Sequence, residues 1–259
     1  MGTIILILLI LIGLALGSFL NVCIYRIPLK KSILFPRSFC PNCGAKIRAW
    51  DNIPLLSFIL LKGKCRKCKS KISLQYPLVE FIASTLIVVT YWRFGWGWEF
   101  IGKSILGLLL IVIFFIDLKH RIIPDVVTLP GMALGFFFSF FVKSPSVLNS
   151  LIGILVGGIL FYLSAVLGEV LFKKESMGGG DIKLAMMLGA FLGWQKILLV
   201  FLLAAVLGAT VGGIALFLSK EVKKTKMIPF GPFLALGSIL AIFIGDTLIS
   251  AYIKAFFLK

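Results

Sequence analysis

The chain has 259 residues, of which 60% are hydrophobic and 14% are charged, and its formal net charge is +17. Soluble domains are about 45–50% apolar and about 25% charged, so the composition excludes an ordinary soluble domain and predicts an all-α polytopic membrane protein. Lys and Arg retained in cytoplasmic loops account for the positive charge, and we therefore expect no nucleic-acid partner.

Hydropathy predicts about eight transmembrane helices, with a small cytoplasmic insertion after the first. The predicted spans are 3–25, 77–92, 100–117, 125–142, 149–172, 182–194, 197–219 and 230–256. The first apolar run is too long for a signal peptide and follows no Lys or Arg, so we expect it to be retained. The chain then divides into a first transmembrane helix (1–25), a soluble segment (26–76) and a transmembrane domain (77–259).

The distribution of basic residues predicts the orientation of these spans. Most of the 27 Lys and Arg residues fall in four loops: 26–76, 118–124, 173–183 and 220–226. Cytoplasmic loops carry such an excess of positive charge, so these four are assigned to the cytoplasmic side. Asp117 and Asp181 then lie at the same depth, near the cytoplasmic face.

The soluble segment 26–76 contains two CxxC pairs. These are Cys40-Pro-Asn-Cys43 and Cys65-Arg-Lys-Cys68. Two such pairs at this spacing are typical of a four-cysteine zinc site, whose four thiolates leave no open position for catalysis. The alternative is two disulfides or free thiols, and a reducing cytosol argues against disulfides. A structural metal would replace the hydrophobic core that so short a segment lacks.

Several other polar residues have adequate structural explanations. Asn21 lies within the first span and suits a hydrogen bond between helices. Asp51 is expected in a turn or helix cap, and Asp125 follows Pro124 as an N-cap. Glu80 suits pairing with a basic loop residue, although a functional role stays open. We have no account of Asp246, which lies in the last span.

Asp117 and Asp181 are harder to explain structurally. Asp117 ends the third span, where the helix dipole disfavours an anion. Asp181 alone is well placed in the first turn of a helix, but it follows Gly178, Gly179 and Gly180, which would let a peptide backbone approach closely. Two carboxyls held together share a proton, activate a water and polarise a carbonyl. The pair therefore predicts aspartic-protease chemistry, with the glycines as a loop for substrate approach.

At these residues the sequence resembles the type IV prepilin peptidases, of the GxGD class of membrane aspartic proteases. The motifs are Gly178-x-Gly180-Asp181, Asp117-x6-Pro124-Asp125, Gly17-Ser-Phe-Leu-Asn-Val, the CxxC pairs, Asp51-Asn-Ile-Pro, Tyr76-Pro-Leu-Val-Glu80 and Ile228-Pro-Phe-Gly-Pro-Phe233. The resemblance implies that Asp117 and Asp181 are catalytic and that the enzyme removes the basic leader of type IV prepilins or pseudopilins. It further implies cleavage at the cytoplasmic side of the bacterial inner membrane, followed by N-methylation with S-adenosylmethionine. No residue can be assigned to that cofactor.

Three other functions are compatible with parts of the sequence. A proton-coupled transporter could use the buried acids as a relay, but it would need acids near mid-membrane and repeated halves. A presenilin-type protease would not explain the cysteine pairs, and a zinc-containing scaffold would not explain Asp117.

The segment 228–233 is either the start of a helix or a broken helix that lines the site. Since the leader and the enzyme surface are both basic, we expect the substrate to arrive laterally, through the anionic lipid.

Overall fold

A computed structural model describes residues 2–173, 177–218 and 229–257 of the chain. The α-helices are α1 Gly2–Arg26, α2 Leu56–Leu60, α3 Gln75–Phe94, α4 Trp98–His120, α5 Asp125–Phe138, α6 Val147–Phe172, α7 Gly179–Leu192, α8 Trp194–Leu218 and α9 Gly231–Phe257. A 3₁₀ helix, Ala49–Asn52, precedes α2. Within the described ranges, extended pairing is confined to two single bridges in the cysteine segment.

The predicted all-α membrane class is confirmed. Each of the eight predicted spans has a helix at its position, and six of these helices are long and apolar enough to cross a membrane. The other two, α5 and α7, have 14 residues each, about 21 Å of helix against the roughly 30 Å of a hydrocarbon core. The basic loop 220–226, residues 174–176 and Ile228 lie outside the described residues.

The chain forms two compact units, and the first is Met1–Phe100. Here α1 packs antiparallel to α3 through small residues. A Cβ on Gly13 would lie 2.5 Å from the Ser84 Cα, and the approach at Gly17, one turn later, is equally close. A further turn along, Asn21 Nδ2 donates to the Tyr76 carbonyl at 3.0 Å. Close backbone approach and polar side-chain hydrogen bonds are the usual means of joining membrane helices.

The second unit is Ile101–Lys259, and α7 is its central helix. Helices α5, α6, α8 and α9 all pack against α7. Its side chains are buried almost continuously from Leu184 to Leu192. Glycines of α6 allow the closest of these approaches: a Cβ on Gly157 would lie 2.6 Å from the Ala185 carbonyl oxygen, and Gly153 meets the Gly189 backbone directly. The short helix is thus fixed by backbone contact on one side.

The C-terminal end of α7 receives side-chain donors from two neighbouring helices. Lys103 Nζ donates to the Phe191 carbonyl at 2.9 Å, and Ser150 Oγ donates to the Ala190 carbonyl at 2.8 Å. Both side chains are buried. A helix too short to span ends among apolar groups, where its last carbonyls need partners from the protein. These two bonds anchor one end of α7, and the opposite end carries Asp181.

Candidate active site

Asp117 lies in the last turn of α4, as predicted, and its side chain is buried. Its Oδ2 accepts a hydrogen bond of 3.0 Å from the backbone N–H of Gly231, the first residue of α9. The helix stops just beyond Asp117, because Arg121 adopts φ +55° and returns its N–H to the Asp117 carbonyl at 2.8 Å. The first acid is therefore held between the end of one helix and the start of another.

Asp181 is the third residue of α7, in its first turn. Its backbone N–H donates to the Gly178 carbonyl at 3.0 Å, which closes that turn. The residue is half-buried, and its Oδ1 atom is fully buried without a hydrogen-bond partner among the described residues. Buried carboxyl oxygens are normally satisfied, so this oxygen is available to a water or a substrate group.

Ile123, in the loop between α4 and α5, brings the two acids into one site. Its side chain packs against Gly180 of α7, where an added Cβ would lie 2.9 Å from the Ile123 Cβ, and also reaches Gly231 of α9. Gly180 precedes Asp181, and the Gly231 N–H holds Asp117, so the contacts of Ile123 bring the segments that carry the two acids together. Two acids that are 64 positions apart in sequence thus meet at one end of the unit.

The three glycines before Asp181 have different surroundings. Gly180 is required for packing, since a Cβ there would collide with Ile123. Gly179 is exposed and has open space where a Cβ would be, and Gly178 is exposed beside the Asp181 carboxyl. Gly180 therefore allows close packing within the chain. Gly178 and Gly179 instead leave open space beside the Asp181 carboxyl.

The predicted role of Asp125 as an N-cap is wrong. Helix α5 begins at Asp125 itself, Pro124 occupies the cap position, and no side-chain cap bond forms. Instead, Asp125 Oδ2 pairs with Lys183 Nζ at 2.6 Å, with both groups partly exposed. The pair joins the first turn of α5 to the second turn of α7, two residues after Asp181, a partnership between residues 58 positions apart that helix-cap rules do not predict.

In the first unit, the four predicted metal ligands come together. The sulfur atoms of Cys40, Cys43, Cys65 and Cys68 all lie within 4.8 Å of one another, and every cysteine is free rather than disulfide-bonded. The Cys40 and Cys68 sulfurs are 3.9 Å apart, close to the edge of about 3.8 Å of a tetrahedron with metal–sulfur bonds of about 2.3 Å. The cluster fits one tetrahedral metal ion.

The backbone of each pair folds in the same way. After Cys40, Gly44 returns its N–H to the Cys40 carbonyl with φ +67°; after Cys65, Lys69 does the same with φ +59°. The Ser70 hydroxyl, 3.0 Å from the Cys68 sulfur, lowers the pKa of that thiol to about 6. A low thiol pKa favours the thiolate that metals bind.

Comparison with known proteins identifies the family. Residues 11–94 match the bacterial peptidase A24 N-terminal domain, and residues 104–213 match the type IV leader peptidase family. The chain is 36% identical to the prepilin leader peptidase/N-methyltransferase of Stutzerimonas stutzeri, over 95% of this chain and 92% of that protein. The chain belongs to this leader peptidase family. The predicted family is confirmed, and with it the enzyme class.

Other relatives carry the same name. The Pseudomonas aeruginosa protein is also 36% identical, over 95% of this chain and 92% of its own length. The Myxococcus xanthus protein is 43% identical over 79% of this chain and 61% of its own length. No solved structure matches the chain. The four cysteines lie within the first matched segment, 11–94, and Asp117 and Asp181 lie within the second, 104–213.

The predicted helix–helix bond of Asn21 is present, because its amide donates to the Tyr76 carbonyl on α3. Glu80 differs from the prediction: its Oε2 accepts from the backbone N–H of Leu55 at 2.8 Å, not from a basic side chain. Leu55 has φ +59° immediately before α2. Glu80 therefore fixes the inserted segment to α3 through the backbone.

Asp51 and Asp246 are both paired with basic side chains. Asp51 lies in the predicted turn, a 3₁₀ helix, and receives two guanidinium donors from Arg66 at 2.7 and 2.9 Å. The hydrogen bonds from Arg66 lower the pKa of Asp51. Asp246, for which the sequence suggested no role, pairs with the buried Lys196 at 2.9 Å. Both acids thus have structural explanations away from Asp117 and Asp181.

Sequence reasoning missed two residues of the site, Gly231 and Ile123. The motif Ile228-Pro-Phe-Gly-Pro-Phe233 was open to two interpretations, and its described part is the start of a helix: α9 begins at Gly231, and that start contacts Asp117. The glycine between two prolines was the available signal for Gly231. Nothing in the sequence singles out Ile123, whose contacts with Gly180 and Gly231 arise from packing.

Proposed function

We propose that this chain is a membrane-embedded aspartic endopeptidase that removes the basic leader of type IV prepilins or pseudopilins, with Asp117 and Asp181 as its catalytic pair. One observation carries the proposal: in a member of the leader peptidase family, Ile123 joins the segments that carry two distant acids, and the second acid has a buried oxygen without a partner among the described residues. Acids at membrane depth are rare and mark function.

The proposed reaction needs the two carboxyls, one proton between them and a water. The charged carboxyl takes a proton from the water as it attacks the scissile carbonyl carbon, while the protonated carboxyl donates to the carbonyl oxygen. The tetrahedral intermediate then collapses: the second carboxyl takes back a proton from its hydroxyl, and the amine leaves with the proton that the first carboxyl had accepted. The acids return to one shared proton. The low dielectric of the site favours this state, since two neighbouring carboxylates repel each other.

Besides its acids and a water, a protease needs space for an extended peptide next to the acids, and two glycines provide it. Gly178 and Gly179 are exposed and carry no side chain between the bulk solvent and Asp181. We assign them to substrate approach. Gly180 serves the site differently, through its contact with Ile123.

The four thiols of the first unit are proposed to hold a structural zinc ion. Four sulfurs at tetrahedral spacing match the preference of zinc, and the four-thiolate set leaves no position for a reacting group. The ion would supply folding energy to the segment between α1 and α3, in which residues 41–74 are exposed or half-buried throughout. No step of peptide cleavage is assigned to it.

We place the enzyme in the bacterial inner membrane, with the paired acids facing the cytoplasm. The concentration of Lys and Arg in the loops on the same side as Asp117 and Asp181 supports this orientation. A basic leader and a basic enzyme surface repel each other, and both are attracted to anionic lipid. The substrate therefore arrives laterally, and its own apolar helix supplies affinity. A leader peptide without that helix should be cleaved slowly.

The names of the relatives support a second activity, N-methylation of the new N-terminal residue with S-adenosylmethionine as methyl donor. No described residue is assigned to the cofactor. The proposal for this activity rests on the family and is separate from that for peptide cleavage.

The test uses purified full-length enzyme and a full-length prepilin in lipid. Mass spectrometry of the pilin N-terminus follows leader removal by wild type, Asp117→Asn and Asp181→Asn. Each substitution keeps the size of the side chain and removes its acid, so each should abolish cleavage with unchanged thermal unfolding. Glu169→Gln is the matched control, because Glu169 is an exposed acid on α6, and it should cleave normally. Cleavage by either Asn variant at the wild-type rate would refute the catalytic pair.

A further inference from the structure

We propose that the backbone N–H of Gly231 is the group that positions Asp117 for catalysis, an inference that rests on the proposed function. The N–H lies 3.0 Å from Oδ2 of Asp117, in a contact buried from solvent. It joins residues 114 positions apart. The bond fixes which oxygen of Asp117 faces α9 and leaves the other to the reaction.

The first turn of α9 is built so that a single amide serves this purpose. Pro232 has no N–H, and the amides of Phe233 and Leu234 both donate to the Phe230 carbonyl, at 3.0 and 3.1 Å. The Gly231 N–H is therefore the one amide of that turn that donates to an acceptor on another helix, Asp117. A helix N-terminus also presents positive potential to a carboxylate. The donor to Asp117 is therefore unique in the turn and fixed in direction.

The same position admits no side chain. A Cβ on residue 231 would lie 2.6 Å from Oδ2 of Asp117 and 3.2 Å from Cδ1 of Ile123. Since Ile123 also packs against Gly180 in the first turn that carries Asp181, moving it would disturb the second acid as well. The glycine is thus required for the space beside the acids, and its N–H for the orientation of Asp117.

The cleanest test replaces only the amide. Cell-free synthesis of the full chain into nanodiscs, with glycolic acid at position 231, exchanges the N–H for an ester oxygen and adds no side chain. A hydrogen bond to a charged group is worth enough that kcat for prepilin cleavage should fall about 10- to 100-fold. KM should stay within about twofold, because Gly231 is assigned no contact with the substrate.

The matched control is the same ester at Gly245, about 21 Å further along α9. Gly245 has only ordinary van der Waals contacts, and its ester removes one hydrogen bond inside the helix, so this control disturbs α9 at least as much as the ester at 231 without touching Asp117. We expect its kcat to stay within about twofold of wild type. Gly231→Ala, which keeps the N–H but collides with Asp117, should lose kcat, whereas Gly245→Ala should not.

The outcomes are distinguishable. If the ester at 231 matches the ester at 245 in kcat, or if it raises KM with kcat unchanged, the positioning role is wrong. An inactive Asp117→Asn in the same assay would leave the proposed function standing in that case. If Asp117→Asn itself cleaves normally, the proposed function fails first, and the role of Gly231 fails with it.

Discussion

The contact between α6 and α7 gives a prediction whose size follows from the structure. A Cβ on Gly157 would lie 2.6 Å from the Ala185 carbonyl oxygen, where ordinary contacts begin at 3.4 Å. The obstacle is backbone, which cannot rotate away. In Gly157→Ala the two helices must therefore separate locally by about 0.8 Å, the difference between these distances, and lose part of their packing.

The magnitude is best measured against a second glycine. Overpacking of this kind costs about 1–3 kcal/mol, while exchanging Gly for Ala within a helix gains about 1 kcal/mol. Gly213→Ala, in α8, should gain this helix stability without any packing cost, because nothing lies within 4 Å of its added Cβ. Gly157→Ala should therefore be about 1–3 kcal/mol less stable than Gly213→Ala, a difference of about 2–12 °C in midpoint for a chain of this size.

Activity should fall as well, because Ala185 lies one turn from Asp181 on α7. A displacement approaching 1 Å at a reacting group costs up to about 100-fold in rate. Thermal unfolding in one detergent and initial rates of prepilin cleavage would be measured for both variants. Equal midpoints and equal rates for Gly157→Ala and Gly213→Ala would refute the claim that backbone contact with α6 fixes α7.

Three further changes test other parts of the structure. Wild type should contain about one zinc per chain by elemental analysis, and Cys40→Ser should lose it and unfold at lower temperature. Lys103→Met leaves the Phe191 carbonyl without this donor, which should cost about 1–3 kcal/mol in thermal or denaturant unfolding. Asp125→Lys and Lys183→Asp should each slow cleavage by separating the starts of α5 and α7, and the double variant should recover most of the rate.

For each of these predictions, one result would contradict it. Full zinc content in the Cys40→Ser variant would exclude the four-thiolate site. Unchanged stability of Lys103→Met would mean that the end of α7 does not depend on that bond. A double variant slower than either single change would show that the ion pair does not act as a unit in this position.

The features that the sequence predicted correctly are those that depend on local pattern. Long apolar runs predict helices wherever they occur, so the eight positions were accessible. The two CxxC pairs carry their geometry in their spacing. The basic loops predict that Asp117 and Asp181 lie on the same side of the membrane, which is why their proximity could be anticipated from two separate helix ends.

The features that escaped prediction depend on which helix packs against which. Asp125 looked like a helix cap because caps follow local rules, yet its partner, Lys183, lies on another helix. The Asp246 partner, Lys196, is on α8, and the Gly231 N–H reaches Asp117 from a helix that starts 114 residues later. No spacing rule links such residues. The observed ends of α5 and α7 also differ from the predicted ends by several residues, because tertiary contacts decide where short helices stop.

The central claim is that Asp117 and Asp181 act as one catalytic unit, and a double-mutant comparison of cleavage rates tests it directly. Groups that act together lose their whole contribution when either is removed. We predict that Asp117→Asn, Asp181→Asn and the double variant all fall to the same residual rate on a full-length prepilin. A double variant much slower than either single one, with losses that multiply, would contradict the claim.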